Sequence, residues 1–397
     1  MRALVVGGGI AGLTVAAELA ALGHEVTVCE RDAAPPGPDH MIDLSGTGFD
    51  VAQRLGLLPQ LARTQNAITR VVLLDGTGRT RGEVDYRRIR DAMFDGRQLH
   101  VLRSELVASL RARLLSAVEV RYGSSPEDIV HTGHHVRVAS SDGAVEHYDL
   151  VVAADGRHSC VRQLVVAHNA VDRVRLGCRY AAGVIPARFP EAAADARAWL
   201  TVANVSARLS PLGRDRTAAA IVYRAPHLGR AAAWQEYRTE IVARLRGRGR
   251  LADAIVEALP ASDHFRVEEV VEIHLDRWAR GRVVFVGDAA ATACPFGGGG
   301  ASLAITGAYV LARELAQGTD IDRALSRYQT RMRPAVEAHR RCGRRRIAWM
   351  LPPYGIVAAL RDRALDVVAR GRLVGLLADG FASADAHLDG VIERAST

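Results

Sequence analysis

ALVVGGGIAGLTVAAELAALGHEVTVCE, residues 3–30, sets three local patterns end to end. Ala3 to Val6 is a short apolar run of the kind a buried strand uses, and Gly7 to Gly12 is a glycine-rich turn. From Ile10 to Leu22 alanines and leucines recur at helical spacing until Gly23 stops the helix, and EVTVCE (25–30) is a second strand. Strand, turn, helix and strand in that order make a βαβ unit. The turn reads Gly7-x-Gly9-x-x-Gly12, a spacing that brings a pyrophosphate within hydrogen-bond distance of the backbone. The helix N-terminus behind it offers free N–H groups and a dipole that attract an anion. Glu30, ending the second strand, is placed to accept from a ribose hydroxyl, which favours FAD or NAD over NADP here. Arg31 beside it either pairs with the phosphates or is solvated.

Working outward, VVLLDGTGRTRGEVDY carries Asp75-Gly76 as a turn between alternating arms, so it reads as a hairpin. A helix follows Arg103, and VEVRYG, HVRVAS and EHYDLVVAAD read as strands with a Ser141-Asp142-Gly143 turn between the last two. Residues 173–275 read as strands and turns with helical segments near 231–247 and 251–259. RVVFVGD (282–288) returns to a buried parallel-type strand, and the chain from Ile321 is helical almost throughout. Two interleaved units follow. The nucleotide-binding unit takes 1–70, 98–172 and 276–320, the second takes 71–97 and 173–275, and 321–397 is a C-terminal helical region.

Composition narrows the function. A chain of 397 residues has the length for two or three packed units. All 52 basic side chains are arginines, so the net charge of +8 reflects a coding habit rather than a basic surface, and no nucleic-acid partner is expected. The absence of lysine also removes Schiff-base chemistry. The five cysteines are scattered and form no CxxC pair, so reduced thiols in a cytoplasmic protein are expected, with no metal site. Three glycines and Glu18 interrupt the apolar N-terminus, and no stretch is long enough to span a bilayer.

Two later stretches complete a pattern. DLVVAADGRHSCVR (149–162) is a strand ending in Asp155-Gly156, then a turn and a helix cap. RVVFV delivers Gly287 and Asp288, and Pro295 to Gly300 leads into a helix from about Ala301. In this order, over nearly the whole chain, the three motifs resemble the FAD-dependent monooxygenases of the para-hydroxybenzoate hydroxylase type, the single-component class A flavoprotein hydroxylases. The resemblance implies an α/β fold: a Rossmann-like FAD-binding domain of the GR2 type, an inserted, mostly antiparallel β-sheet substrate domain, and C-terminal helices. It implies that Gly7, Gly9, Gly12 and Glu30 hold the ADP part of FAD. It places Asp155 near the pyrophosphate in a motif tied to NAD(P)H use, and Gly287 and Asp288 at the ribityl chain. Arg103, in HVLRSELVASL, is implied near the phosphates or ribityl chain, and Asp43 and Gly46, in MIDLSGTGFDVAQRLGL (41–57), beside the flavin. Pro295, Gly298, Gly300 and Ala301 become the flavin-side loop, whose backbone N–H groups are suited to negative charge on the reduced ring.

The chain also departs from that family's pattern. Ala291 stands where His or Tyr is frequent, and Ser302, Thr306 and Gly307 replace a side-chain amide and two acids. The implied chemistry has NAD(P)H reduce the flavin and leave. A C4a-hydroperoxyflavin formed with O2 then hydroxylates or epoxidises a small molecule, here expected to be apolar, aromatic or polyketide-like, in specialised metabolism. A protein base is not placed by the sequence; Tyr223, Arg224 and His274 are candidates. Alternatives are a non-redox cyclase that keeps FAD, and a halogenase, against which Trp199, Trp234, Trp278 and Trp349 stand isolated. IAWMLPPYGIVAAL (347–360) reads as a core-covering or dimer-forming segment before it reads as a membrane contact, and a monomer or homodimer is expected.

Overall fold

The computed structural model describes residues 1–397 except 38, 115, 117, 168–169, 194, 214, 226–233, 263–264, 293–298, 319, 352–359, 361–391 and 393–397. Arg2–Val6 is buried over four of its five residues and pairs in parallel with Glu25–Glu30 on one side and Leu150–Ala153 on the other. Val283–Phe285 and Glu119–Tyr122 extend this sheet in parallel, and Ala279–Arg280 closes one edge antiparallel, giving six strands. Strands apolar on both faces demand cover on both faces. The helix Ile10–Ala21 supplies part of it and is buried continuously from Ile10 to Leu19, because the helix Gly300–Ala316 packs on its other side. EHYDLVVAAD is split: Val145–Tyr148 joins a three-stranded antiparallel sheet, while Leu150–Ala153 enters the parallel one. Asp149 makes the break, its carboxylate accepting from the Arg2 N–H at 2.7 Å.

The second sheet has seven strands, ordered Phe265–Leu275, Val171–Ile185, Arg216–Arg224, Val205–Leu212, Ala196–Val202, Arg70–Leu74 and Thr80–Asp85. Every pairing is antiparallel except that of Ala196–Val202 with Arg70–Leu74. Strand alternation sorts the side chains onto two faces. Leu200, Leu209, Ile221 and Tyr223 pack against the helices Trp234–Leu245 and Arg250–Ala258. Tyr180, Arg197, Arg208, Ser210, Ala218 and Ala220 face the other way, toward Met41 and Asp43. Met41–Ser45 and Gln98–Leu102 form a short antiparallel pair of their own, separate from the two large sheets.

The helix Ile321–Met350 runs past both sheets. The Tyr328 hydroxyl donates to the Phe285 carbonyl, and farther along Ile347 and Met350 join Cys178, Val222 and Val270 of the second sheet. No helix among the described residues is long and apolar enough to cross a membrane.

Candidate active site

The first glycine turn closes on itself tightly. Gly7 has φ +108°, and a Cβ there would lie 2.5 Å from the Ala154 carbonyl oxygen. A Cβ on Gly12 would lie 1.9 Å from the Gly7 carbonyl oxygen. The Gly8 N–H donates to Glu30 Oε2 at 2.7 Å and the Asp32 N–H to Oε1 at 2.9 Å, so the carboxylate is fixed at the turn by backbone. Beside Gly9 lies the Arg103 guanidinium, 3.8 Å from where a Cβ would stand. Arg103 donates to Asp39 at 2.9 Å, and the Ser104 N–H donates to the same carboxylate. Gly8, Gly9, Glu30, Arg103 and Arg266 line one cleft of about 380 Å³, within the size range of small-ligand pockets. Arg31 is exposed and stands outside that lining.

Asp155 sits next to this turn, but its Oδ2 accepts from the Val161 N–H at 3.0 Å and from Cys160, capping the short helix Cys160–Val165 together with Ser159. Its Oδ1 is buried with no partner among the described residues. Arg162, at 1% exposure, ties this motif to the Gly287 motif by donating to the Ala289 and Arg157 carbonyls. Gly287 has φ +59° and opens a single 3-10 turn, Gly287–Ala289. Asp288 is solvent-exposed, and the protein atoms around it, with Glu268 nearby, raise its carboxyl above the ordinary range. Burial alone would raise Glu268 as well, but Arg266 and Arg157 outweigh it and hold that carboxylate low.

Two of the positions that depart from the family pattern, Ser302 and Ala291, have packing roles. The Ser302 hydroxyl accepts from the Ser45 N–H and donates to the Ser45 carbonyl, both at 3.1 Å, fastening the helix Gly300–Ala316 to strand Met41–Ser45. A Cβ on Gly307 would meet Met332 at 3.5 Å, an ordinary van der Waals contact, so packing against the helix Ile321–Met350 leaves room for a methyl there. Ala291 is buried in the core beside the parallel sheet. Gly300 and Ala301 begin the helix with open space beside Gly300, whereas Pro295 and Gly298 lie outside the described residues. Gly46 has φ +52° and caps the helix Thr47–Arg54.

A second polar group gathers where strand Met41–Ser45 meets Gln98–Leu102 and the seven-stranded sheet. His100 is buried, and its Nδ1 lies 2.6 Å from Asp43 Oδ1. A carboxylate only accepts, so Nδ1 carries the proton, and the 3.3 Å approach of Arg197 Nη2 to the same nitrogen is a contact rather than a hydrogen bond. Burial drives the imidazole pKa down despite Asp43, so the ring is neutral. Burial would raise the Asp43 carboxyl, but Arg197 and His100 overcome it and hold it far below the usual carboxylate range. Arg197 also donates to Ser210 at 3.0 Å. Arg208 lines the same pocket and forms no hydrogen bond or salt bridge among the described residues.

The three candidate bases lie elsewhere. Tyr223 donates to Glu240 on the far face of the sheet, Arg224 donates to the Leu351 carbonyl, and His274 pairs with Glu272 and Arg340. Sequence reading missed Arg162, His100, Arg197, Arg208 and Arg266. One signal was available: in VSARLSPL the odd positions are apolar, which leaves Ser206, Arg208 and Ser210 together on the opposite face.

His40 lies beside Asp39 of the cleft lining, and burial pushes its pKa to about 4, with Arg103 opposing protonation further and Asp39 partly offsetting. Its folded pKa is depressed, so the stability it contributes is present above pH ~6.5 and lost as pH falls toward 4. The melting temperature of cofactor-free protein should therefore fall over that window. In His40→Gln the fall should be shallower; equal slopes would show that His40 does not titrate there.

A family model described as an FAD binding domain matches residues 1–341. A flavin-dependent monooxygenase from an unknown prokaryotic organism is 30% identical over 351 residues, covering 86% of this chain and 88% of that protein. A second, from Legionella longbeachae serogroup 1 (strain NSW150), is 28% identical over 346 residues with the same coverage. Among solved structures, HpxO of Klebsiella pneumoniae complexed with FAD and uric acid superposes with a TM-score of 0.80 at 23% identity, covering 98% of this chain and 97% of that one. The tight glycine turn with its fixed acid, the second motif tied to the third through Arg162, and a family match spanning both place this chain in the FAD-binding domain family, as a flavin-dependent monooxygenase.

Proposed function

We propose that the enzyme uses NAD(P)H and O2 to oxygenate a small molecule that carries one negative charge, bound between the two sheets. The residues present fit FAD: Gly7 and Gly12 leave a cradle that a Cβ would fill, and Glu30, fixed by the Gly8 N–H, keeps lone pairs for a ribose hydroxyl. Gly9 and Arg103 would hold the phosphates, with Asp155 nearby, and Gly287, Asp288, Gly300 and Ala301 the flavin side. Segments 1–70, 98–172 and 276–320 make this cofactor unit, and 71–97 with 173–275 the substrate unit. When bound, FAD supplies the redox chemistry, accepting electrons from NAD(P)H and passing them to O2.

The observation that carries the substrate reading is the charge balance around Asp43. Arg197 is neutralised by Asp43 and His100 is neutral, so Arg208 leaves the pocket one positive charge in excess. A carboxylate, phenolate or enolate would pair with it, while Ala218 and Ala220 offer an apolar surface for the body of the molecule. This refines the expectation of an apolar substrate: one end of the pocket is cationic.

The test is NAD(P)H oxidation under air with a panel of phenols and aromatic carboxylates, each beside its neutral ether or ester. Anionic members should stimulate the rate, which also separates a monooxygenase from a non-redox cyclase. Arg208→Ala should lower kcat/KM for the best substrate by about 10- to 100-fold, the worth of a charge-assisted hydrogen bond, with FAD content unchanged. Equal stimulation by neutral analogues, or an unaffected Arg208→Ala enzyme, would overturn the charge assignment.

A further inference from the structure

Two adjacent glycines at the start of the helix Gly300–Ala316 lack side chains for different reasons. A Cβ on Gly300 would meet nothing within 4 Å. One on Gly299 would stand 2.2 Å from Cδ2 and 2.3 Å from Nε2 of His339. Gly299 has φ −111°, which any residue adopts, so backbone conformation does not demand glycine there. The demand comes from the imidazole. His339 is 1% exposed, and its Nδ1 donates to the Ala335 carbonyl at 2.9 Å, so the ring is locked against its own helix, Ile321–Met350.

The next residue repeats the arrangement at the other end of the same connection. Arg340 Nε donates to the Thr292 carbonyl at 3.1 Å, and its Nη2 donates to the Ile273 carbonyl. Thr292 is fixed in turn: its hydroxyl accepts from the Ile273 N–H at 2.7 Å and donates to the Val271 carbonyl at 2.8 Å. Two consecutive residues of one helix therefore hold Thr292 and Gly299, the described residues on either side of 293–298.

We propose that His339 is a positioning residue for the flavin, acting through Gly299 to set where the helix Gly300–Ala316 begins, with Arg340 fixing the other end at Thr292. Glycine at 299 answers the imidazole, and of the two described glycines it is the gap at 300 that is left for the cofactor. This rests on the reading that the N–H groups of Gly300 and Ala301 face the flavin. The pair predicts compensation: a side chain at 299 is tolerated once the ring at 339 is gone, because the obstruction is a side chain and not backbone.

The experiment titrates cofactor-free protein with FAD by flavin fluorescence and measures the midpoint potential of the bound flavin. Gly299→Ala should weaken FAD binding about tenfold or more, as overpacking does, and make the potential more negative as the N–H groups shift. Gly299→Ala combined with His339→Ala should return both readouts to those of His339→Ala alone. A double variant no better than Gly299→Ala, or a Gly299→Ala protein that binds FAD as the parent does, overturns the proposal. Should Gly299→Ala fail to fold, recovery of folding and FAD binding in the double variant supports it, and failure to recover overturns it. Gly300→Val tests the underlying reading separately: unchanged affinity and potential there would remove the flavin from this helix end, whatever the rescue shows.

Discussion

Gly12→Val should yield a folded protein that purifies without FAD, with affinity lower by roughly 1,000-fold or more, equivalent to about 4 kcal/mol. The argument is geometric. A first carbon at position 12 would lie 1.9 Å from the Gly7 carbonyl oxygen and 3.1 Å from the carbonyl carbon, both backbone atoms. Gly7 has no freedom to retreat, because its own backbone is at φ +108° and the Ala154 carbonyl stands behind it. Relief requires drawing the start of helix Ile10–Ala21 away from strand Arg2–Val6, which moves the N–H groups proposed to meet the pyrophosphate. Gly8→Ala is the contrast: its new carbon would meet the Glu30 side chain at 3.3 Å, a neighbour that can give. FAD content of the purified proteins and fluorescence titration of the cofactor-free forms provide the check. Full flavin content in Gly12→Val would mean that this turn does not hold the cofactor.

The second large effect is on stability. Arg162→Ala should cost about 3–4 kcal/mol, through a buried cavity and two carbonyls left without a donor. It should also loosen FAD, since the same guanidinium joins the Arg157 carbonyl of one motif to the Ala289 carbonyl of another. Arg162→Lys should recover little, because one ammonium on a flexible stem cannot replace a planar fork donating in two directions. Chemical denaturation of the flavin-free proteins measures the first effect and FAD titration the second. A lysine variant as stable as the parent would show that charge alone, without the fork, is enough.

Local patterns made the cofactor unit legible. The apolar run before Gly7, the glycine spacing and Glu30 each follow from short-range rules, and the structure places them together as the spacing requires. The hairpin around Asp75-Gly76 was readable for the same reason. What escaped reading depends on register between distant segments. Asp43 and His100 meet because Met41–Ser45 pairs with Gln98–Leu102, and Arg197 joins them from a third segment. Which face Tyr223 occupies is likewise decided by a helix packed on that side, and a one-residue shift would have turned it toward the pocket. Ser302 looks like missing chemistry when read along the chain, yet across the fold it fastens a helix to a strand.

The strand order of the parallel sheet also sets how much of the chain must exist before that sheet can be whole. Ala3 to Val6 finds one partner at once in Val26 to Cys29, but its other neighbour is Leu150 to Ala153, whose own outer partner is Val283 to Phe285. A chain leaving the ribosome N-terminus first therefore carries its glycine turn long before the sheet beneath it is complete, and the helix that covers the turn starts only at Gly300. The sheet under that turn is whole only once Val283 to Phe285 has paired with Leu150 to Ala153, far along the chain from the turn itself.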